Sequence, residues 1–247
     1  MENNWANDFY KMQYKFIGNY PEGYHTEAAN EILEQAGKPV HSLLELGAWD
    51  GSLARALSKN IKQINTIELI KEMANKAESL NPDNIETIHG SFYDVNLTEK
   101  FDAIIYIDGF GVGTDDNQLK LLKNIKHWLK DDGCALIDVY QPEHWKKADG
   151  VEMYLNRRDM PHIKRRYSYD FEADIMMDTW WHEKDEKLNS TQYLKCYTPD
   201  EIYKLCKQAG LNLIGYFPHG AMDYDNMEYH EYASLDECMS YRIKLIK

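Results

Sequence analysis

From residue 40 onward, short apolar runs alternate with stretches of helical spacing. The runs cover 40–46, 64–70, 85–89, 101–108 and 134–140, and the stretches between them cover 52–59, 71–80 and 115–130. Strands buried on both faces read as near-continuous apolar runs, and their alternation with helices predicts βαβ units and a parallel sheet. In 115–130, Leu119, Leu122, Ile125 and Leu129 recur on one face. Thr114 is placed as the N-cap, with Asp115 and Asp116 in the first turn, where carboxylates suit the helix dipole. A further helix opens at Thr198-Pro199-Asp200-Glu201, with Thr as cap, Pro first and Glu as the reciprocal cap, and is expected to stop at Gly210. The runs 211–217 and 239–246 then predict a sheet closed by a C-terminal hairpin.

Two regions break this rhythm. Residues 1–36 are rich in aromatics (Trp5, Phe9, Tyr10, Tyr14, Phe16, Tyr20, Tyr24) and end in a helix expected from Thr26, as its N-cap, to Gly37. In residues 141–197 the segments 164–171, 175–183 and 187–195 are strand-like and separated by short polar turns, which predicts an antiparallel meander. Both regions are expected to cover the carboxyl ends of the parallel strands, where open α/β sheets bind ligands.

Composition narrows the classes. The chain has 247 residues, 43% of them hydrophobic, enough for a sizeable core. Its 28 Lys and Arg against 41 Asp and Glu give a net charge of −13, which argues against nucleic acid and anionic membrane surfaces as partners. No apolar run approaches the roughly 20 residues of a membrane span, and the first 15 residues lack the apolar middle of a secretory signal. A cytoplasmic location is therefore expected. Cys134, Cys196, Cys206 and Cys238 are scattered without a CxxC pair, so they read as packing thiols, with no metal implied.

The chemistry is concentrated in residues 43–54, Leu-Leu-Glu-Leu-Gly-Ala-Trp-Asp-Gly-Ser-Leu-Ala. A buried strand bears Glu45, glycines 47 and 51 permit a tight turn, and a helix begins at once. Such a turn brings backbone N–H groups and a helix N-terminus to an anionic ligand group. Glu68 closes the next strand near the spacing at which an acid accepts both hydroxyls of a ribose. The dehydrogenase fingerprint G-x-G-x-x-G is absent, since Trp49 and Ser52 stand at two of the places involved, and no Walker lysine is present.

What fits is E/D-x-G-x-x-x-G with an acid closing the next strand, and here the sequence resembles the class I S-adenosylmethionine-dependent methyltransferases of small-molecule type. The resemblance runs over residues 40–140 and more loosely over 198–247. It implies a Rossmann-like α/β fold: a seven-stranded, mostly parallel sheet with helices on both faces. It also implies S-adenosyl-L-methionine as cofactor. Glu45, Gly47, Ala48, Trp49 and Gly51 would hold its methionine end, and Glu68 with Leu69 its ribose. Ser91 and Phe92 would contact the adenine, and Asp108, Gly109 and Phe110 would lie under the sulfonium. Trp49 stands where many members have a second glycine, and Ser91 where an acid is common. The expected organisation is an N-terminal helical lid over 1–39, a cofactor-binding half over 40–142, an inserted antiparallel cap over 143–197, and a C-terminal helix and strands over 198–247 that complete the sheet.

For the acceptor, the signals are Arg157, Arg158, Arg165 and Arg166, four of the six arginines, beside Lys164. A solvated face is the bland reading; an anion site for a carboxylate or phosphate is the sharper one. Tyr24, Tyr140, Arg165, Arg166 and Trp181 are the substrate candidates. Asp108 and His144 are the candidates for catalysis, and His25 and His182 are further bases by position. Trp145, Trp180 and Tyr193 read as the lid's own core. The function implied by the resemblance is methyl transfer to an O or N atom of a small molecule. Methyl transfer to RNA or protein, and a cofactor-binding module without turnover, stay open, as does homo-oligomerisation.

Overall fold

The computed structural model describes residues 4–247. Two helices lead, α1 (Asn4–Ile17) and α2 (Thr26–Ala36). The parallel region follows as β1 (Ser42–Leu46), α3 (Ser52–Leu57), β2 (Gln63–Glu68), α4 (Lys71–Leu80), β3 (Ile85–His89), β4 (Phe101–Tyr106), α5 (Asp115–Trp128) and β5 (Leu129–Tyr140). A cap of α6 (Pro142–Lys147), β6 (Glu152–Asn156), β7 (Met160–Asp170), β8 (Ile175–His182) and β9 (Asp185–Lys195) comes next. The chain closes with α7 (Pro199–Ala209), β10 (Asn212–Pro218), β11 (Ala221–Asp223), β12 (Glu228–His230) and β13 (Ser240–Ile246).

Seven strands form one sheet in the order β10-β13-β5-β4-β1-β2-β3. β1 to β5 pair in parallel, and β13 is antiparallel to both β5 and β10. Strand alternation sends Leu43, Ala103 and Ile105 into a core with α2 and α3, and Leu44, Ile104 and Tyr106 into one with α5 and α7. Both faces of the sheet are therefore covered, which is why the central strands carry so few polar residues.

The helix signals hold with three adjustments. Thr198 and Glu201 form the reciprocal cap, and Gly210 ends α7 in the left-handed conformation. Thr26 is the first helical residue of α2, capped by His25 without a side-chain bond. In α5 the buried face is Gln118, Leu121, Leu122, Ile125 and Trp128; Leu119 is only half-buried, and Leu129 already belongs to β5.

The cap is a four-stranded antiparallel sheet, β6-β7-β8-β9. It is fastened to the main sheet through the loop after β4. Val112 bridges Leu194, and the Lys195 N–H donates to Gly111 O at 3.0 Å. A Cβ on Gly111 would lie 2.4 Å from Lys195 O, so only glycine allows this approach. Helix α1 packs on β9 and the cap, with Phe9 edge-on to Trp180 at 5.8 Å. No helix among the described residues is long and apolar enough to cross a membrane.

Candidate active site

β1, β2 and β4 end on the same side of the sheet, facing a cavity of about 490 Å³ that α1 and the cap enclose. Its walls include Glu45, Gly47, Ala48, Trp49, Glu68, Leu69, Ser91, Phe92, Asp108 and Gly109, ten of the twelve positions expected to hold the cofactor. The other two lie elsewhere. Gly51, with φ at 76°, sits behind the turn, where a Cβ would come within 3.0 Å of Ala77 and 2.9 Å of Asn81 Oδ1; it lets α3 start hard against α4. Phe110 is fully buried between Tyr106 and Tyr197.

The turn after β1 is built around two buried acids. Glu68 accepts from Trp49 N at 2.9 Å and from Ile70 N at 2.8 Å, so it shapes the turn as well as lining the cavity. Burial pushes its carboxyl up to about 7. Glu45 is pushed up to about 8, first by burial and then by repulsion from Glu68 and Asp50. Its Oε2 is buried without a partner, a vacant acceptor that suits an ammonium donor. Gly47, by contrast, leaves room: a Cβ there would meet only the Tyr106 ring, at 3.6 Å. Trp49 has φ of 52°, the left-handed region glycine enters without strain. That accounts for glycine at the matching place in the resembled family. Its indole Nε1 donates to Gly18 O at 3.1 Å, tying it to the loop after α1.

At the β4 end, Asp108 is open to the cavity and also left-handed, with φ of 54°. Tyr140 donates to its Oδ1. Burial pushes the Asp108 carboxyl up to about 6; the Tyr140 bond opposes this, Asp138 and Asp178 add repulsion, and Arg165 offsets part of it. Tyr140 itself lies far above the usual phenol range, through burial and the neighbouring Asp108 charge.

The acceptor candidates separate. Tyr140 and Arg165 line the cavity. Arg165 is closed off, however: its Nε and Nη2 fork onto buried Asp178, and its guanidinium lies over the rings of Tyr167 and Trp180 at 4.5 and 5.1 Å. Arg166 follows Arg165 on a strand, so it points to the opposite face; it is half exposed and 3.5 Å from Glu152. Arg157 and Arg158 are exposed in the turn between β6 and β7. The expected arginine cluster is therefore dispersed, Arg165 from Arg166 by strand alternation and Arg157 and Arg158 by their place in the turn, and these residues form no joint anion site. Trp181 is likewise off the cavity, while Trp180 is turned inward. Tyr24 is 62% exposed and stacks on Tyr20.

Among the histidines, His25 lines the cavity and burial lowers its pKa. His144 does not reach the cavity; it is buried between Glu237 O and the Tyr224 hydroxyl. His182 lies beside His162, 5.8 Å between ring centroids. The sequence reading missed Asp178, Tyr10 and Gln192. Asp178 pairs with Arg165 one strand away, a two-residue period that marks an inward face only once the partner strand is known. Gln192 donates to the Tyr10 hydroxyl at 3.0 Å, joining α1 to β9, and no local pattern announces a contact so distant in sequence. The four cysteines are free and buried.

Residues 20–215 match the family described as methyltransferase domain. An uncharacterized methyltransferase of Staphylococcus carnosus is 27% identical over 135 residues, 54% of this chain and 62% of that protein, so the match spans less than two thirds of the relative's length. Among solved structures, an S-adenosylmethionine-dependent methyltransferase from Clostridium acetobutylicum has a TM-score of 0.68 at 17% identity, over 98% of this chain and 99% of that one. The CcbJ methyltransferase of Streptomyces caelestis has a TM-score of 0.72 at 15% identity, over 99% and 96%. CalS10 of Micromonospora echinaspora, described as an amino pentose methyltransferase, has 0.68 at 16%, over 97% of both chains. At these identities the likeness is one of fold.

Proposed function

The chain belongs to the methyltransferase domain family, and on that premise we propose that it moves a methyl group from S-adenosylmethionine to an O or N atom of a small molecule. The observation that carries this reading is the single cavity joining Glu45, Gly47 and Glu68, at the ends of β1 and β2, to Asp108 and Tyr140 beneath the cap. The residues suit the cofactor: the vacant Glu45 Oε2 would take its amino group, Glu68 its ribose hydroxyls, and Ser91 with Phe92 its adenine. When bound, S-adenosylmethionine supplies an electrophilic methyl group whose bond to sulfur breaks with both electrons going to sulfur.

The protein's own part is to position and to keep dry. Asp108 and Tyr140 stand where the acceptor would meet the cofactor, and Tyr10, Tyr20 and Trp145 enclose that space. Holding a nucleophile in line within a closed pocket supplies much of the rate acceleration such displacements need. The enclosure also favours a small acceptor over RNA or a folded protein, as does the net charge of −13. CalS10's acceptor, an amino sugar by its description, is of the size this reading calls for.

The test is calorimetric binding of S-adenosylmethionine, followed by incubation with fractionated small-molecule extracts and mass spectrometry. Binding followed by S-adenosylhomocysteine release in step with a methylated small product supports the reading. Binding without turnover would leave a cofactor-binding module, and a methylated RNA or protein would move the acceptor to that class.

A further inference from the structure

Resting on the methyltransferase reading, a finer inference concerns which nucleophile the cavity receives. Its wall carries four carboxyl groups, on Glu45, Glu68, Asp108 and Asp178, against one guanidinium, on Arg165. That guanidinium is spent: its fork is held by Asp178, which also accepts from Trp180 Nε1 at 2.8 Å. Among the described residues, Tyr140 is the sole hydrogen-bond partner of the Asp108 carboxyl, which leaves Oδ2 vacant. Glu45 and Glu68 sit at the turn where the cofactor would lie; Asp108 is left for the acceptor. With Asp178 paired to Arg165 and burial holding Glu45 and Glu68 partly neutral, Asp108 is the carboxylate whose charge faces an acceptor, and it disfavours carboxylates and phosphates and favours cations.

We propose that the acceptor is an amine that enters as an ammonium ion and is held by Asp108 Oδ2 while Tyr140 occupies Oδ1. The ammonium gives one proton to the Asp108 carboxylate, and the former N–H bonding pair becomes the nitrogen lone pair. That pair forms the new N–C bond as the methyl carbon parts from sulfur, which keeps the C–S pair. The product nitrogen is again a cation, and the proton on Asp108 passes to water with product release. A carboxyl group pushed up to about 6 is far closer to an amine in proton affinity than to an alcohol, whose hydroxyl it could not deprotonate.

The experiment uses the full chain saturated with S-adenosylhomocysteine and two matched probe sets. These are phenethylamine, 2-phenylethanol and phenylacetate, and glucosamine, glucose and glucuronate, followed by thermal shift and calorimetry. In at least one set the amine is expected to bind about ten-fold or more tightly than its counterparts. Asp108→Asn should erase that preference in the S-adenosylhomocysteine complex, and Asp108→Glu, which keeps the charge, should retain it. Equal binding within both sets, a preference for the carboxylates, or an amine preference that survives Asp108→Asn overturns the proposal. So does loss of S-adenosylhomocysteine binding in Asp108→Asn, which would assign Asp108 to the cofactor. Absence of S-adenosylhomocysteine binding by the unaltered protein is a separate result: it removes the methyltransferase reading itself and the amine proposal with it.

Discussion

The backbone N–H of Tyr20 donates to Asp50 Oδ2 at 3.0 Å, fastening the loop after α1 to the turn after β1. Asp50 is fully buried, also accepts from Ser52 N at 3.0 Å and lies 3.7 Å from Arg55. The segment that encloses the cavity and the turn that would hold the cofactor thus share one carboxylate. Asp50→Ala would strand two backbone donors, while Arg55 Nη1 keeps Asp50 O and Asn81 Oδ1, so we expect a loss of about 2 kcal/mol of stability, read as a lower urea midpoint. A midpoint equal to that of the unaltered protein would mean the tether contributes nothing.

Trp49 makes the second link between the same segments, through Gly18 O and an edge-on contact with Tyr14 at 5.6 Å. Because Trp49 lines the cavity, S-adenosylhomocysteine should alter tryptophan fluorescence. Six tryptophans contribute to the signal, so Trp49→Phe is the control. We expect most of the change to vanish in that variant, with stability lower by about 1 kcal/mol from the lost hydrogen bond. An undiminished signal in Trp49→Phe would place the responding indole elsewhere, with Trp145 next on the wall.

The parallel core was legible because doubly buried strands leave an unmistakable trace: 85–89 and 71–80 coincide with β3 and α4 residue for residue. Glu45, Gly47 and Glu68 were legible because a strand-turn-helix forces a short fixed spacing between residues that must converge. The cap was legible only as strands. Which face of β7 looks inward depends on what packs beneath it, so Arg165 and Arg166 read as a pair although the pleat separates them. The phase of α5 slipped for a similar reason. Leu119 and Leu129 fit a helical period, but the chain turns into β5 at 129, and Leu121 and Trp128 take the buried face. Tyr10 and Gln192 meet only through the tertiary fold.

Glu45 and Glu68 give the site a pH dependence whose sign is fixed. Their carboxyls rise from 4.5 to about 8 and about 7 on folding, mainly through burial. The stability associated with their neutral forms is fully present below about 4.5 and is lost as pH rises through about 7 to 8. The ligand-free melting temperature should therefore fall across that interval. A ligand bearing an ammonium and a diol engages the ionised forms, so S-adenosylhomocysteine affinity should rise over the same interval. Glu45→Gln should flatten the rise, and Glu68→Gln should weaken binding by about 2 kcal/mol. Calorimetry between about pH 5.5 and about pH 8.5 decides; affinity falling with pH would exclude these carboxylates as the ligand's partners.

Arg165 and Arg166 offer the sharpest contrast, since one change of position alters every term of the balance. Arg165 forks onto Asp178, which is 2% exposed and also bonded to Trp180. Truncating the arginine leaves the Asp178 carboxyl buried with only an indole N–H for company, and breaking such pairs typically costs about 3 to 5 kcal/mol. Arg166 lies in solvent against a partly exposed Glu152 at 3.5 Å, a pairing of the kind that contributes less than about 1 kcal/mol. We therefore expect Arg165→Ala to lower the urea midpoint severely and Arg166→Ala to leave it almost unmoved. The companion variant Arg165→Met with Asp178→Leu removes the ion pair as a unit and should recover much of the loss, because no charge is then left unpaired. If Arg165→Ala instead proved as mild as Arg166→Ala, the guanidinium would not be committed to Asp178. It would then be free to receive an anionic acceptor, and the charge argument for an amine would fail at its first step.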